Sequence, residues 1–466
     1  MRIAYATLLP REIEDADRFL RPPLTAGYLA AYADKHRHGR DKHDIVDTIE
    51  LDDFNGDPKR ITLRMLKNDP QVVALSVYVW NHYEVADVCR EIRAENPGVK
   101  IVLGGPEIAF TPSQALKNFE ADWACTGEGE LPFLDLLNAL ERNPSYAASL
   151  PGMLHRRNLN GVCPPAPLAN PLDHIPCPYS EGYLRIDEDT VADLETTRGC
   201  PYRCRFCLYG KTLESLRFFA LERVRADVAY AVDQGATSIY LMDPTFNYPR
   251  KRCRKICGIL EDLNTNLDIE FATEVRAEII DGALADAFVR AGIKSVEIGL
   301  QSSSRETLKL MQRGLGTNHF IKGCRLLYER GIRAEIGMIV GLPGDNEESI
   351  RRTAEFVLDR NLGELNVYRL QVLPGSEYHK LASSLGLKYN SQPPYFIHET
   401  STLGDEQISS LVEELQEAAE EYNLVYDRVI KRTANNTKRK ERSRRKRELA
   451  AYEAGKIKTH AASRVS

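Results

Sequence analysis

Nowhere in this chain do about 18 apolar residues follow one another, so no segment is expected to form a membrane-spanning helix. The first ten residues, Met1-Arg-Ile-Ala-Tyr-Ala-Thr-Leu-Leu-Pro10, lack a basic stretch, a long apolar core and a small-residue cleavage site. They read as a buried strand, and a signal peptide is not expected there. An excess of one charge is missing too. Lys and Arg number 62 against 67 Asp and Glu, and a net charge of -5 makes no global case for a nucleic-acid or membrane-surface partner. Glycine loops that cradle phosphate are also absent. No Gly-x-Gly-x-x-Gly or Walker pattern occurs, and the first strand runs into Leu8-Leu9-Pro10-Arg11 instead of a glycine-rich turn, which disfavours a nicotinamide or ATP site. What the chain does have is cysteine, ten residues in 466. Three of them are closely spaced, which argues against a disulfide framework and for a reducing compartment, with the cytoplasm as the default.

Those three, Cys200, Cys204 and Cys207, lie in Glu195-Thr-Thr-Arg-Gly-Cys-Pro-Tyr-Arg-Cys-Arg-Phe-Cys-Leu-Tyr-Gly210, after a strand-like segment. A Cys-x-x-x-Cys-x-x-Cys run gives three ligands and leaves an iron cluster one short. A site with an open position can bind and activate a small molecule, whereas a closed one is structural. The bland alternative is a zinc knuckle or three incidental thiols. With Phe206 just before the third Cys and Arg198-Gly199 just before the first, the run resembles the radical S-adenosylmethionine (SAM) enzymes. The resemblance implies a 4Fe-4S cluster on the three thiolates and SAM chelated at the open iron. It also implies reductive cleavage of SAM to methionine and a 5'-deoxyadenosyl radical that abstracts hydrogen. Cys253 and Cys257, spaced i, i+4 in a helical run, read as buried apolar residues rather than half a metal site.

Residues 1 to about 140 alternate apolar strand-like runs with helical periodicity, the pattern of a doubly wound parallel sheet. Strands are expected at Arg2 to Leu8, Asp44 to Glu50, Val72 to Val79, Lys100 to Leu103 and Trp123 to Thr126, giving a first domain over 1–145. Ligands of such sheets bind outside the carboxyl ends of the strands. The segments around Arg21-Pro-Pro-Leu, Ser76-Val-Tyr-Val-Trp80-Asn81, Gly104-Gly105-Pro106 and Gly127-Glu128-Gly129-Glu130 resemble the cobalamin-binding domain fused to many radical SAM enzymes. The resemblance assigns those residues to cobalamin. Asp34-Lys-His36-Arg-His-Gly39 matches the signature by which another cobalamin class supplies an axial histidine, and the segment around His43 nearly does. Both follow the first helix and so fall at the wrong edge of the sheet. Bound cobalamin is therefore expected to lack a histidine ligand.

A proline-rich segment, 146–190, reads as an ordered linker. Strand and helix alternation resumes over 191–400 in six units, suggesting a partial TIM-type barrel with its site at the carboxyl ends of the strands. The three-Cys loop follows the first of these strands. Further strand-end segments resemble the family's SAM-binding elements: Phe206 beside the cluster, Asp243 for the methionine amino group, Glu274 with Arg276, and Gln301 with Ser302 for the ribose hydroxyls. Gly337, Ile339 and Gly341 resemble the element that contacts adenine.

Residues 401–430 read as a helical region packed on the barrel, and 431–466 as a solvated, partly disordered helical tail. The tail carries ten basic residues against one acid between Lys431 and Arg447. It keeps open an RNA or acidic peptide partner, but no aromatic residues are interleaved to stack bases. The resemblance implies a cobalamin-dependent methyltransferase acting at an unactivated carbon or a phosphinate of a small molecule or peptide. Its electron donor would be of the flavodoxin or ferredoxin kind. Ring formation, rearrangement, RNA modification and a non-catalytic cluster sensor are the alternatives. No general acid or base can be named.

Overall fold

The computed structural model describes residues 1–8, 22–36, 44–46, 56–142, 150–160, 163–187, 190–209, 216–265, 267–314 and 316–462, with 44–46 and 438–462 as backbone alone. In the N-terminal domain the order is β1 (Arg2–Thr7), α1 (Leu24–His36), β2 (Asp44–Val46), α2 (Pro58–Leu66), β3 (Val72–Ser76), α3 (His82–Glu95), β4 (Lys100–Gly104), α4 (Pro106–Ala109), α5 (Pro112–Asn118), β5 (Trp123–Cys125), α6 (Glu130–Arg142) and β6 (Met153–His155). The strands line up β2-β1-β3-β4-β5-β6, parallel except for β6. This is the doubly wound order whose crevice opens where the direction of winding reverses, between β1 and β3. β6 lies within the expected ordered linker: its three residues pair antiparallel with β5 and close that edge. The stretch expected as strand beyond Val46 lies outside the described residues.

Alternate residues of the central strands go to two different cores, because helices cover both faces. Ala4, Ala6, Val73, Leu75, Ile101 and Leu103 pack with Ile61, Val88 and Ile92 under α2 and α3. Ile3, Tyr5, Val72, Ala74 and Val102 face α1 and α6, and that core runs on without a break into the second domain. Close approach of α1 to the connecting segment requires glycine. A Cβ on Gly27 would stand 2.7 Å from the Leu184 side chain.

The second domain continues with β7 (Val191–Leu194), β8 (Thr197–Arg198), β9 (Arg217–Phe218), α7 (Leu221–Asp233), β10 (Ser238–Leu241), α8 (Arg250–Leu263), β11 (Glu270–Glu274), α9 (Gly282–Ala291), β12 (Ile293–Gln301), α10 (Arg305–Leu310), α11 (Thr317–Tyr328), β13 (Arg333–Val340), α12 (Glu347–Leu358), β14 (Glu364–Arg369), α13 (Glu377–Leu381), β15 (Lys388–Tyr389), β16 (Ile397–Glu399) and α14 (Asp405–Ala462). Six strands form one parallel sheet in chain order from β7 and β10 to β14. On β13, Ala334, Ile336, Met338 and Val340 are buried, while Glu335, Gly337 and Ile339 between them are only partly covered. The first set lies under the helices and the second lines the hollow of a half-barrel. Cys253 and Cys257 share the buried face of α8.

Both free edges of this sheet are finished by side chains. At β7 the Tyr179 hydroxyl accepts from the Asp193 N–H and donates to its carbonyl, each at 3.1 Å. At β14 the Asn423 amide takes the Leu365 N–H at 2.8 Å and reaches its carbonyl at 3.0 Å, and the Gln416 amide reaches the Val367 carbonyl at 3.0 Å. Both amides come from α14, whose stripe Ile408, Leu411, Leu415, Ala419, Tyr426 and Ile430 is buried at helical spacing. α14 runs unbroken from the expected helical region through the basic block to Ala462, so the helical tail is continuous with it.

Candidate active site

The three-Cys loop leaves the carboxyl end of β7 and is held at its root by Asp243, at the carboxyl end of the neighbouring β10. Asp243 accepts from the backbone N–H groups of Thr196 and Thr197 at 2.8 and 3.0 Å and from the Thr196 hydroxyl. Gly199, at φ 94°, then turns the chain into the loop. The Cys200 Sγ lies 3.6 Å from the Thr245 hydroxyl, and the Cys207 N–H donates to the Cys204 carbonyl at 3.2 Å. Burial, with Cys204, Cys200 and Glu274 nearby, pushes the Cys207 thiol up to about 12. A thiol so placed stays protonated until a cation displaces the proton, which is what metal coordination does. Among the described residues no three His, Cys, Asp or Glu side chains converge on a single metal ion. A cube that takes each thiolate at a separate iron does not require that convergence.

Beside the triad lies a cation that sequence reading missed. The Arg313 Nη1 stands 3.8 Å from the Cys204 Sγ, and its Nη2 donates to the Gly299 carbonyl. Burial and the neighbouring Arg276 guanidinium pull Arg313 down from the usual arginine value. Its place beside the thiols suits it to complement a cluster of net negative charge. The available signal was an Arg in the turn after α10, unremarkable in one dimension.

The hollow of the half-barrel is polar. Glu274, Glu297 and Glu335 stand side by side in register on β11, β12 and β13. The Tyr240 hydroxyl crosses from β10 to the Glu297 carboxylate at 2.8 Å, which the concave face permits. Burial, then Glu297 and Asp243, raises the Glu274 carboxyl to about 7. Gly337 keeps the wall thin opposite Tyr368, whose ring would touch a Cβ there at 3.4 Å.

Beside the shared core, polar contacts between the two domains join one carboxyl edge to the other. Arg198, just before the Cys loop, bridges Glu130 at 2.8 Å, Glu195 at 2.9 Å and Glu128 at 3.3 Å. Burial works against its charge, and the three carboxylates more than offset this. Arg217 also meets Glu128. On the far side the Tyr395 hydroxyl donates to Glu107, and the Tyr83 hydroxyl donates to the Pro393 carbonyl at 2.9 Å. The carboxyl edge of the first sheet thus meets the second domain at the root of the Cys loop.

Two family profiles match the sequence: the B12 binding domain over residues 18–137 and the radical SAM superfamily over residues 194–357. The chain is a radical SAM protein with a cobalamin-binding domain. An uncharacterised methyltransferase of Pyrococcus horikoshii is 27% identical over 84% of this chain and 86% of its own length. TokK, a cobalamin-dependent radical SAM methyltransferase of Streptomyces tokunonensis, is 27% identical over 76% of this chain, which spans only 54% of TokK. A solved structure of the radical SAM methyltransferase TsrM from Kitasatospora setae, with cobalamin and a 4Fe-4S cluster bound, superposes with a TM-score of 0.67 over 86% of this chain and 79% of TsrM. Its 16% identity makes that a likeness of fold. The cofactors of this radical SAM protein are accordingly a 4Fe-4S cluster, SAM and cobalamin. The donor set fits: three thiols on one loop, a cation beside them, and glycine-lined strand ends opposite.

Several expected contacts of this radical SAM protein are spoken for inside it. Asp243, 1% exposed, has its oxygens turned to Thr196 and Thr197 and so anchors the Cys loop instead of facing the hollow. Ser302 is buried in a network with Asp345, Ser304 and Thr307. Arg276 pairs with Glu278 at 2.6 Å and lies over the Tyr202 ring, leaving its Nη1 buried without a partner among the described residues. Glu128 and Glu130 serve the domain junction. Asn81 is fully buried, with its amide strapping Leu8 to Ser76 across the crevice, so neither Asn81 nor buried Ser76 presents a side chain to a ligand. Gly127 and Gly129 abut Ala166 and Leu29. Arg21 and His43 lie outside the described residues, and His36 bonds the His174 carbonyl at 2.8 Å.

What stays open is Trp80, 54% exposed and stacked on Tyr78 at 4.5 Å, and the turn Gly104-Gly105-Pro106. There Gly105 at φ 104° sits against the Val77 carbonyl. Around the hollow, Glu274, Gln301, Gly337 and Ile339 remain partly exposed, as does Phe206 beside the cluster loop. Gly341, at φ 90°, turns the chain under Ile397.

Proposed function

We propose that this chain is a cobalamin-dependent radical SAM methyltransferase acting on a small molecule or peptide in the cytoplasm. The observation that carries this reading is the ion pairing of Arg198, at the root of the loop of Cys200, Cys204 and Cys207, with Glu128 and Glu130 at the carboxyl edge of the cobalamin domain's sheet. When bound, the cluster and cobalamin supply the electron and the methyl group; the protein's part is placement and exclusion of water. The three cysteines would hold the cluster, and Arg313 would balance its charge. Glu274 would face the cationic SAM, with Gln301 and the strand from Gly337 through Ile339 to Gly341 bounding the nucleoside. Trp80 would lie against the corrin, with Gly104, Gly105 and Pro106 allowing close backbone approach. The carboxylates at the domain junction would keep the two sites in fixed separation, which is where positional catalysis gains most.

The test is anaerobic reconstitution with iron, sulfide and hydroxocobalamin, followed by an optical spectrum and assays for 5'-deoxyadenosine and S-adenosylhomocysteine. Both products together are the expected result. Deoxyadenosine alone, with no corrinoid retained, would reduce the protein to a radical SAM enzyme of non-methylating type.

A further inference from the structure

The half-barrel has a second concavity, on its outer flank between α10 with its following turn, the start of α11, and α12, with a volume of about 1120 Å³. Five cations, Arg305, Lys309, Arg313, Arg352 and Arg360, line it against two carboxylates, Glu355 and Asp359. This is a local excess of three positive charges (five minus two) on a chain whose net charge is -5. Arg305 and Lys309 are exposed and have no ion-pair partner among the described residues, while Arg352 meets only Glu348, at 3.3 Å on the surface. Unpaired basic residues gathered in a shallow groove fit an acidic surface better than the solvent alone.

The position of the groove gives it a purpose. Arg313 forms its inner wall, and the other end of the same guanidinium is 3.8 Å from the Cys204 Sγ. The Arg205 guanidinium and N–H, next to Cys204, bond the Leu310 and Met311 carbonyls on the same segment, so the cluster loop and the groove share one thin wall. The opposite side of the loop, by contrast, faces the N-terminal domain through Arg198.

We propose that this groove is the docking surface for an acidic one-electron carrier protein of the flavodoxin or ferredoxin kind. The inference rests on the cluster reading above, because cleavage of SAM consumes an electron that the chain must receive. In the transfer the carrier's centre is oxidised by one electron and the cluster is reduced by one; no bond changes and no proton moves. Charge attraction would steer the carrier onto the groove and make its binding weaken with salt, and Arg313 would stand in the wall between the partners.

The experiment uses the full-length, anaerobically reconstituted protein with an acidic flavodoxin as probe. Carrier affinity is measured by calorimetry at low and high salt, and cluster reduction by stopped-flow absorbance. The double charge reversal Lys309→Glu with Arg352→Glu changes only exposed side chains and should keep the fold. It should weaken carrier affinity by about tenfold or more, flatten its salt dependence and slow reduction by the carrier. Cluster content and reduction by dithionite should stay as in the wild type. Lys117→Glu, exposed on α5 of the other domain, should change none of these. Unchanged carrier affinity in the double variant, with an intact cluster that dithionite still reduces, overturns the docking surface alone, including the case in which the groove holds a small anion instead. A wild-type chain that holds no reducible cluster would strike the proposed function itself.

Discussion

Among single residues, chemistry that depends on spacing along the chain was legible and chemistry that depends on partners was not. Three thiols within eight positions can be read without a fold. Asp243, Ser302, Asn81, Glu128 and Glu130 are polar residues at strand ends, and nothing local tells whether such a group faces a ligand or a neighbouring loop. In each case the neighbouring loop takes it. Cys204→Ala is expected to abolish cluster assembly, seen as loss of the iron-sulfur absorbance, while leaving corrinoid uptake intact. Glu274 carries a pH prediction. With its carboxyl at about 7, it is ionised above that value and neutral below. SAM affinity should therefore fall as the pH drops through 7, and Glu274→Gln should show about tenfold weaker binding, one 1.4 kcal/mol step, with a flat profile. For stability the sign is the opposite. The folded value lies above the ordinary glutamate value, so the contribution is complete below about 4.3 and is lost as the pH rises through 7. Glu274→Gln should be the more stable protein at high pH by denaturant midpoint.

At the scale of elements, period decided what could be seen. The parallel strands of both domains stand out as apolar runs separated by helices. β6, three residues among prolines, has no period to show, and α14 passes from an apolar stripe into a basic block that looks like a change of element but is one helix. That helix also does what composition hides: two of its polar residues, Asn423 and Gln416, occupy ladder positions on β14. Asn423→Ala would leave a buried backbone donor and acceptor of Leu365 without partners. The expected cost is about 1–3 kcal/mol, read as a shift of the urea midpoint without loss of helix content at low denaturant.

For the whole molecule, the order of domains and the family could be read from the sequence, but their junction could not, because it is made of residues assigned to a ligand. Arg198 is enclosed by Glu128, Glu130 and Glu195. Arg198→Met would leave buried carboxylates without a counter-ion, a change that costs on the order of 3–5 kcal/mol. Stability of the two domains should separate in chemical denaturation, and the coupling between corrinoid binding and SAM turnover should weaken more than either binding event alone.

A complete ring of this kind has eight strands and a centre plugged by its own side chains. Here Tyr179 and the two amides of α14 satisfy the rims, so the sheet can stop at six without exposing raw edges. The missing arc, about a quarter of the circumference by strand count, leaves the hollow flanked by α14 on one side and the segment around Tyr179 on the other instead of by further strands.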